Sequence, residues 1–565
     1  MRKNSYWKLC PRWIPTRALI ALMCFTNTWT SYMCRLQMPI LAVPMINITG
    51  SSDVSGACTS DTEKLLKSAN GSGNAHHGQK RSVWLNPESY TDDWLIEDYS
   101  HAVYRRAVEE NGTTIQDGTT ESLADETRGS RSRRGIRLFS GEPFDWSPTI
   151  RGQLLAAYSY GNVPGNFIGG VIALKFGPRS SVFWTALVAA VISLFSPLIA
   201  QIHWGALLFT RVIVGFTGGI TFPACHTLVA KWAPPEERGR FIWSLLGGTF
   251  GTIFTYPMVA GIAESINWEM GWYLPSILML IWIVFWMLLA YDSPEEHPGI
   301  TDEEKQYILS SQAGIVKWKK PSLKETPILK ICTSIPFISL VICHFGNLFL
   351  LMFYQYSMML YLTKALGFQL TKGGFLASLP WFARILFGFF FSWAGDRIKK
   401  KQLMSIAMLR KGAAIFSHLI PGVCLIIVGY LGCSFIGANV FLFLALGFNG
   451  AAAIGNLANN QDLAPNYAGF LYGIMNTIGC FAGIIIPPMV EAIAGQYGNP
   501  IEKWQIVFWI GACVTIATMV IFFIGGSGKV QPWNDTYAPD TVAAEGAEAE
   551  GANAESEKAQ ETETA

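Results

Sequence analysis

The sequence predicts an all-α membrane protein whose twelve transmembrane helices form two pseudo-symmetric six-helix bundles. Of the 565 residues, 50% are hydrophobic and 15% are charged, which is typical of a chain that lies in lipid. Apolar runs of roughly 20 residues, long enough to cross a hydrocarbon core of about 30 Å as a helix, recur along the chain. Two short sequences also recur six runs apart, which divides the helices into two halves.

Twelve apolar runs account for the predicted helices. Their bounds are 18–46, 152–174, 182–202, 206–230, 242–262, 272–291, 335–362, 374–393, 404–430, 434–458, 468–493 and 506–524. The first run follows a basic segment without acidic residues and is too long for a cleaved signal peptide. We therefore expect it to be retained as the first membrane helix.

Basic residues lie in alternate connections between the runs and so predict an orientation. Lys175 and Arg179 follow the second run, Lys231 follows the fourth, and the segments 317–330 and 397–401 are rich in lysine. Short loops with an excess of Lys and Arg remain on the cytoplasmic side. Both termini are therefore predicted to be cytoplasmic.

The charge pattern and the runs together predict five segments. These are a cytoplasmic N-terminus (1–17), an N-terminal six-helix bundle (18–291), a cytoplasmic linker (292–332), a C-terminal six-helix bundle (333–525) and a disordered acidic cytoplasmic tail (526–565). The N-terminal bundle includes a long loop, 47–149, on the other side of the membrane. Asn47, Asn70 and Asn111 in this loop begin Asn-X-Ser/Thr sequons and are predicted glycosylation sites.

Internal repetition supports the two bundles. The sequence Lys231-Trp-Ala-Pro-Pro after the fourth run is echoed by Asp462-Leu-Ala-Pro465 after the tenth. Pro257-Met-Val259 in the fifth run is echoed by Pro488-Met-Val490 in the eleventh. Repeats of this kind are typical of transporters whose halves rock about a central site.

Composition and motifs exclude several function classes. A net charge of +2 without a clustered basic domain argues against nucleic acid as a partner. No phosphate-binding loop, zinc-protease motif or serine-nucleophile motif occurs in a catalytic context, so the chain is not predicted to be an enzyme. No cofactor is expected, and Na⁺ and H⁺ both remain open as a coupling ion.

Two arginines within the apolar runs are the leading candidates for a binding site. Arg35 lies well inside the first run, and Arg211 lies in the fourth. An ionisable side chain at bilayer depth is costly and is a functional hypothesis by default. A guanidinium stays charged when desolvated and matches carboxylate or phosphate with a planar fork of donors. Both arginines are therefore predicted to bind an anion; the alternative is a structural arginine bonded to helix-end carbonyls or reaching the interface.

Two asparagines complete the predicted site. Asn347 in the seventh run and Asn476 in the eleventh could offer neutral polar contacts to the solute or to sodium. Hydrogen bonding between helices is the alternative role. The carboxylates Glu264 and Glu491 lie near the outer ends of their runs, which argues against a simple proton relay at bilayer depth.

Ordered motifs along the chain carry a family resemblance. They include Arg211 to Arg238 with Thr221-Phe-Pro-Ala-Cys-His226, then Ala377-Ser-Leu-Pro380, Asp462-Leu-Ala-Pro-Asn-Tyr467 and Gly473-Ile-Met-Asn-Thr477. Together they resemble the anion:cation symporter family of the major facilitator superfamily, the group of sialin, vesicular glutamate transporters and type I sodium-phosphate cotransporters. The resemblance covers everything except the long first loop and the acidic tail. It implies the major facilitator fold, with Arg35 and Arg211 as the family's anion-binding arginines.

The chain departs from that family at three positions. Gly218 stands where sialin and the vesicular glutamate transporters have a glutamate implicated in proton coupling. Asn347 stands where the glutamate transporters have an additional arginine, and Leu155 stands where they have a histidine in the second helix. These departures leave phosphate, sialate, glutamate and other carboxylates open as substrates.

The function predicted from the sequence is secondary active transport of a small inorganic or organic anion by alternating access, coupled to a cation or to voltage. A transporter-like receptor or sensor that binds solute without full transport is the alternative. The expected partners are a small anionic solute and the lipid bilayer, and the protein is expected to be a monomer. The plasma membrane and a lysosomal or synaptic-type vesicle membrane are both open as its location.

Overall fold

Helices account for nearly all of the described chain. The computed structural model describes residues 15–47, 141–234, 241, 246–312 and 326–536. The long helices within these ranges are α1 (Thr16–Met45), α2 (Pro148–Phe176), α3 (Pro178–Ile202), α4 (Trp204–Trp232), α5 (Gly247–Ser265), α6 (Met270–Leu289), α7 (Ile335–Ala365), α8 (Leu370–Lys400), α9 (Ile406–Tyr430), α10 (Phe435–Leu463), α11 (Ala468–Tyr497) and α12 (Ile501–Gly525). Each predicted run coincides with one of them, apart from small shifts at the ends.

Shorter elements lie between and after the long helices. Strands β1 (Ile46–Asn47) and β2 (Phe144–Asp145) pair in parallel, with Ile46 opposite Phe144. Helices Asp302–Gln312 and Ile328–Cys332 lie within the predicted linker. The helices α7, α9 and α10 contain non-α turns at Tyr361–Ala365, Ile415–Leu419 and Gly450–Ala453, respectively.

Nine of the helices are long and apolar enough to span a membrane within the described ranges. The three that fall short of this measure are α1, α2 and α5. All three carry buried polar side chains, including Arg35 and Gln37 in α1, Asn162 in α2 and Thr255 in α5. A helix surrounded by other helices can carry such groups, because its polar side chains find partners in the protein instead of facing lipid.

Glycines bring α2 and α4 into backbone contact. A Cβ atom at Gly161 would overlap the carbonyl oxygen of Val212, and one at Gly215 would overlap that of Tyr158. Small residues allow membrane helices to approach this closely, and van der Waals packing then replaces the hydrophobic effect as the cause of association. The close approach fixes the position of Tyr158 relative to α4.

The two bundles share a core at one end only. We call the end where α1 finishes and α2 begins the distal end, and the end where α1 begins and α12 finishes the proximal end. One distal hydrophobic cluster contains residues of both bundles, such as Leu36, Phe353 and Ile486. At the proximal end the described residues form two separate clusters, one around Trp286 in the N-terminal bundle and one around Phe522 in the C-terminal bundle. The bundles are therefore packed together distally and have independent cores proximally.

A carboxylate of the linker caps the first helix. The backbone N–H groups of Thr16 and Arg17 donate to the two carboxylate oxygens of Glu304 at 2.9 and 3.0 Å. The Arg17 side chain also forms an ion pair with Glu304 at 3.1 Å. A negative charge at a helix N-terminus satisfies free N–H groups and stabilises the helix dipole. The helix Asp302–Gln312 is thus fixed to the proximal end of α1.

The beginning of the predicted disordered tail, 526–565, is ordered, which corrects that boundary. The backbone N–H of Gln531 donates to the carbonyl of Leu463 at 2.8 Å, and Trp533 is buried near Tyr467, with ring centroids 6.3 Å apart. An aromatic side chain buries enough apolar area to order a short polar segment. The residues after 536 lie outside the described part of the chain.

Candidate functional site

Arg35 is a buried cation that contacts aromatic rings and a thioether. It is 6% exposed, and its guanidinium lies over the rings of Tyr32 and Tyr158, 5.2 and 5.0 Å from their centroids. Its Nη2 donates to the sulfur of Met352 on α7 at 2.8 Å, whereas its buried Nε has no hydrogen-bond partner in the part of the chain that the structure describes. Thioethers are weak acceptors, and aromatic faces stabilise a cation only in part. The charge of Arg35 is therefore incompletely compensated.

Arg211 lies beside Arg35 and contacts the backbone of the same helix turn. It is fully buried on α4, and its Nη2 donates to the carbonyl oxygen of Cys34 at 2.9 Å. Its guanidinium lies over Trp272, 5.1 Å from the ring centroid, while Nε and Nη1 have no hydrogen-bond partner among the described residues. The structure thus brings the two predicted arginines together. In this conformation Arg211 binds a backbone carbonyl within α1 and positions that helix, while its predicted role as an anion contact stays a prediction.

The hydroxyl of Tyr158 lies where a side chain at Gly218 would be. A Cβ atom at Gly218 would overlap this hydroxyl. A small enclosed cavity of about 10 Å³ lies next to it, and its lining includes Ser31, Thr217 and Thr221. This volume is close to the minimum for one water molecule. The phenol of Tyr158 therefore fills the space that the missing fourth-helix side chain leaves, and its ring stays against Arg35.

Arg384 on α8 is a third arginine at bilayer depth, which the sequence analysis missed. Its Nε donates to Oδ1 of Asn449 at 3.1 Å. The amide of Asn449 in turn donates to Oδ1 of Asn347 at 2.9 Å and to the carbonyl of Ser417 at 3.1 Å. The signal was present in the sequence, because Arg384 lies in the middle of the apolar run 374–393 just as Arg35 lies within the first run.

The two predicted asparagines bond to other amides. Asn347 is buried and accepts the hydrogen bond from Asn449, and Asn476 donates to Oδ1 of Asn166 on α2 at 3.4 Å. Within the described chain, neither asparagine hydrogen bonds to Arg35 or Arg211. Both side chains take the interhelical role, and Asn476 does so between the two bundles. Their predicted contact with solute stays a prediction.

Two other buried arginines have carboxylate partners, unlike the three described above. Arg151 pairs with Glu491, and Arg410 pairs with Asp462, each at 2.6 Å. In the described ranges no carboxylate lies within ion-pair distance of Arg35, Arg211 or Arg384. A charge at bilayer depth without a counterion is costly, so these three positions can gain most from an external anion.

The predicted glycosylation sites are described only in part. Asn47 is exposed and pairs through its backbone with Asp145 in the short parallel sheet. Asn70 and Asn111 lie outside the described residues. An exposed asparagine at the distal end is compatible with the sequon prediction, which remains untested.

Comparisons with known proteins agree with this architecture. The family model described as Major Facilitator Superfamily matches residues 136–487. Human sialin is 30% identical over 431 residues, which cover 75% of this chain and 84% of sialin. Vesicular glutamate transporter 2 of Bos taurus is 30% identical over 417 residues, which cover 73% of this chain and 71% of that protein.

Solved structures support the fold alone. A D-xylose-proton symporter matches with a TM-score of 0.52 and 16% identity over 67% of this chain and 88% of that chain. The xylose transporter from E. coli in a partially occluded inward-open conformation matches with a TM-score of 0.53 and 10% identity over 90% of this chain and 99% of that chain. The motifs, the helix order and these relatives agree: the chain belongs to the major facilitator superfamily, in the anion:cation symporter group of sialin and the vesicular glutamate transporters, and is a multi-pass membrane transporter, not an enzyme.

Proposed function

We propose that the protein carries a small organic or inorganic anion across a membrane by alternating access. In this proposal Arg35 contacts the anion, and Arg211 lies beside Arg35 and positions α1. The observation that carries the proposal is the state of Arg35, which is buried, charged and without a carboxylate partner among the described residues. Its remaining donors can be satisfied by an anion that enters between the bundles.

Charge compensation makes an anion the favoured solute. The effective cost of an unpaired buried ion is several kcal/mol, which a bound carboxylate or phosphate reduces by forming charge-assisted hydrogen bonds. Arg35 contacts Met352 on α7, so an anion at this position lies at the boundary of the two bundles. An anion held there can be exposed to either side as the bundles rock.

The relatives narrow the choice of solute. One is named for sialic acid transport and another for vesicular glutamate transport, and both solutes are carboxylates. A carboxylate is therefore the first candidate, with phosphate as the inorganic alternative. One chain supplies both bundles around Arg35, so a monomer is sufficient for the site.

Two observations support an orientation with the distal end away from the cytoplasm. In the described ranges, Lys175, Lys231 and the basic segment 397–401 lie at the proximal end, as the positive-inside rule requires of cytoplasmic loops. Cys433, in the distal connection between α9 and α10, is disulfide-bonded, and disulfides persist in oxidising compartments. We place both termini in the cytoplasm, and the distal end outside the cell or in a vesicle lumen.

Uptake into proteoliposomes tests the function and the coupling ion together. Labelled glutamate, sialic acid and phosphate are offered to the purified protein under a sodium gradient, a proton gradient or voltage alone. We expect saturable uptake of at least one anion, lost in Arg35→Ala and retained in Arg397→Ala, an exposed arginine at the proximal end of α8. The gradient that drives uptake identifies the coupling ion.

Two results would overturn parts of the proposal. Binding of an anion without uptake under every gradient would support a receptor or sensor. Normal uptake by Arg35→Ala would remove Arg35 from the site even if the protein is an anion transporter.

A further inference from the structure

We propose that Arg384 is a second anion contact, on the C-terminal bundle, and that the transported solute carries two anionic groups, one for Arg35 and one for Arg384. This inference rests on the proposed anion transport and specifies its substrate class. It follows from the position of Arg384, its neutral partner Asn449 and the connection of both arginines to α7.

The side chain of Arg384 is accessible although it lies in the middle of a membrane helix. The residue is partly exposed, whereas Arg35 is 6% exposed and Arg211 is fully buried. Among the described residues, Nη1 of Arg211 is enclosed and lacks a hydrogen-bond partner. Neither terminal nitrogen of Arg384 is enclosed in this way. A guanidinium at this depth that water can reach must face an internal space, because lipid would not tolerate it.

Arg384 and Arg35 face the same region from opposite bundles. Nη2 of Arg35 on α1 donates to the sulfur of Met352 on α7. Arg384 on α8 reaches the same helix through Asn449, whose amide donates to Asn347 of α7. Asn347 and Met352 are separated by about 7.5 Å along the helix axis. The two cations therefore approach one segment of α7 from helices that belong to different bundles.

The local contacts hold Arg384 in place but leave its charge uncompensated. Asn449 accepts only the Nε–H, and the orientation of the Asn449 amide is fixed by Asn347 and Ser417. Arg410 is the contrasting case, since the Asp462 carboxylate accepts two of its hydrogen bonds and the Ile454 carbonyl accepts a third. Arg410 is therefore a structural arginine, whereas Arg384 presents a pre-oriented fork with free donors.

Charge balance then determines the class of solute. Two cations that border one space repel each other, and this repulsion is larger where water is scarce. A monoanion neutralises one of them and leaves the other unpaired. A solute with two anionic groups, such as a dicarboxylate, neutralises both and connects the bundles. The geometry therefore favours a dianion over a monoanion of the same length.

Matched solute pairs test this inference in proteoliposomes. Labelled succinate is compared with butyrate, and glutamate with glutamine, for the parent protein and for Arg384→Gln. We expect the parent to prefer the member of each pair that carries two carboxylates by about tenfold or more in kcat/KM, as an added charge-assisted contact would give. Arg384→Gln should lose that preference through a higher KM for the solute with two carboxylates. Arg397→Gln, on the same helix but exposed, serves as the matched control.

A second variant keeps the test decisive if Arg384→Gln does not fold. Asn449→Asp places a carboxylate against Arg384 without removing the arginine, so it should also abolish the preference for dianions. Unchanged selectivity in a folded variant of either kind would overturn the inference while anion transport stands. Absence of anion uptake by the parent protein would instead overturn the proposed function itself.

Discussion

Arg151 on α2 and Glu491 on α11 form a bidentate ion pair that joins the two bundles at their distal end. The Nε and Nη2 atoms of Arg151 each donate to one carboxylate oxygen of Glu491 at 2.6 Å. Both side chains are almost inaccessible, at 1% and 2% exposure. Gly152 and Gly495 lie against the pair, and a Cβ atom at Gly495 would overlap a Glu491 oxygen. The distal end cannot open without breaking this ion pair, because its two partners are on helices that must separate.

Glu491→Gln should shift the protein toward a distally open conformation. The change leaves Arg151 buried without a counterion, which costs about 3–5 kcal/mol in comparable buried pairs. Water can solvate Arg151 when the bundles separate, so the unpaired charge destabilises the open conformation less than the closed one. The readout is labelling of Ser159→Cys, a buried position that bonds across the bundles to Tyr356, by a membrane-impermeant maleimide added to the distal side.

The double change Arg151→Met with Glu491→Leu is the control for that experiment. It removes both charges and fills the space with apolar side chains, so no buried ion is left to be hydrated. We expect faster labelling in Glu491→Gln and parent-like or slower labelling in the double variant. Equal labelling rates in all three proteins would show that the ion pair does not hold the distal end closed.

Gly218→Ala should disturb the site through Tyr158. The new methyl group would overlap the Tyr158 hydroxyl, and overpacking of this kind costs about 1–3 kcal/mol. The Tyr158 ring lies against Arg35, so its displacement should also raise the KM for the anion. Thermal unfolding and uptake by the purified variant measure the two effects.

Two further variants separate a local clash from the general effect of replacing a helical glycine. Gly170→Ala is the matched control, because a Cβ atom there meets no atom within 4 Å and alanine is a better helix former. Combining Gly218→Ala with Tyr158→Phe removes the overlapping oxygen and should restore much of the lost stability. A double variant no more stable than Gly218→Ala alone would contradict the proposed contact.

The sequence could predict individual residues of the site. Arg35 and Arg211 stand out because a cation within an apolar run is rare, and the structure places them side by side. The same criterion applied to the run 374–393 would have found Arg384. The apolar runs predicted the helices because bilayer thickness sets the length of each membrane helix, and a single stretch of sequence shows that length.

Pairings between distant residues could not be predicted in the same way. Arg151 and Glu491 are 340 positions apart, and nothing in either segment specifies the other as a partner. The contact of Tyr158 with Gly218 likewise depends on the glycine-mediated approach of α2 to α4. Such contacts follow from the relative rotation of packed helices, which the periodicity of a single helix does not determine.

Asp462→Asn should destabilise the C-terminal bundle at its proximal end. The carboxylate of Asp462 accepts from Nε and Nη2 of Arg410 at 2.6 and 3.1 Å, and the Arg410 side chain is 4% exposed. Removing the negative charge leaves Arg410 with neutral acceptors, so we expect a lower unfolding temperature. Asp396→Asn, at an exposed position of α8, should change the unfolding free energy by at most about 0.5 kcal/mol. Equal effects of the two substitutions would mean that the Arg410 ion pair contributes nothing to stability.

His297 should make stability depend on pH at the proximal end. It lies outside the long helices against the rings of Trp232 and Tyr291, and its Nδ1 accepts from the Gly299 N–H at 3.1 Å. Burial lowers its pKa to about 4; the nearby Glu304 opposes this shift and Arg179 reinforces it. The unfolded chain, in which the pKa of histidine is about 6.5, therefore binds the proton more readily than the folded protein.

The direction of the pH effect follows from that difference. The contribution of His297 to stability is complete above about pH 6.5 and is lost as the pH falls toward 4, because protonation then favours the unfolded chain. Thermal unfolding of the parent and of His297→Gln at pH 7.5 and pH 5.0 isolates this residue, since the other titrating groups are common to both. We expect the parent to lose more stability between the two pH values than the variant does. An equal loss in both proteins would mean that His297 binds the proton equally well in the folded and the unfolded protein. The contacts with Trp232 and Tyr291 would then not exclude its charged form.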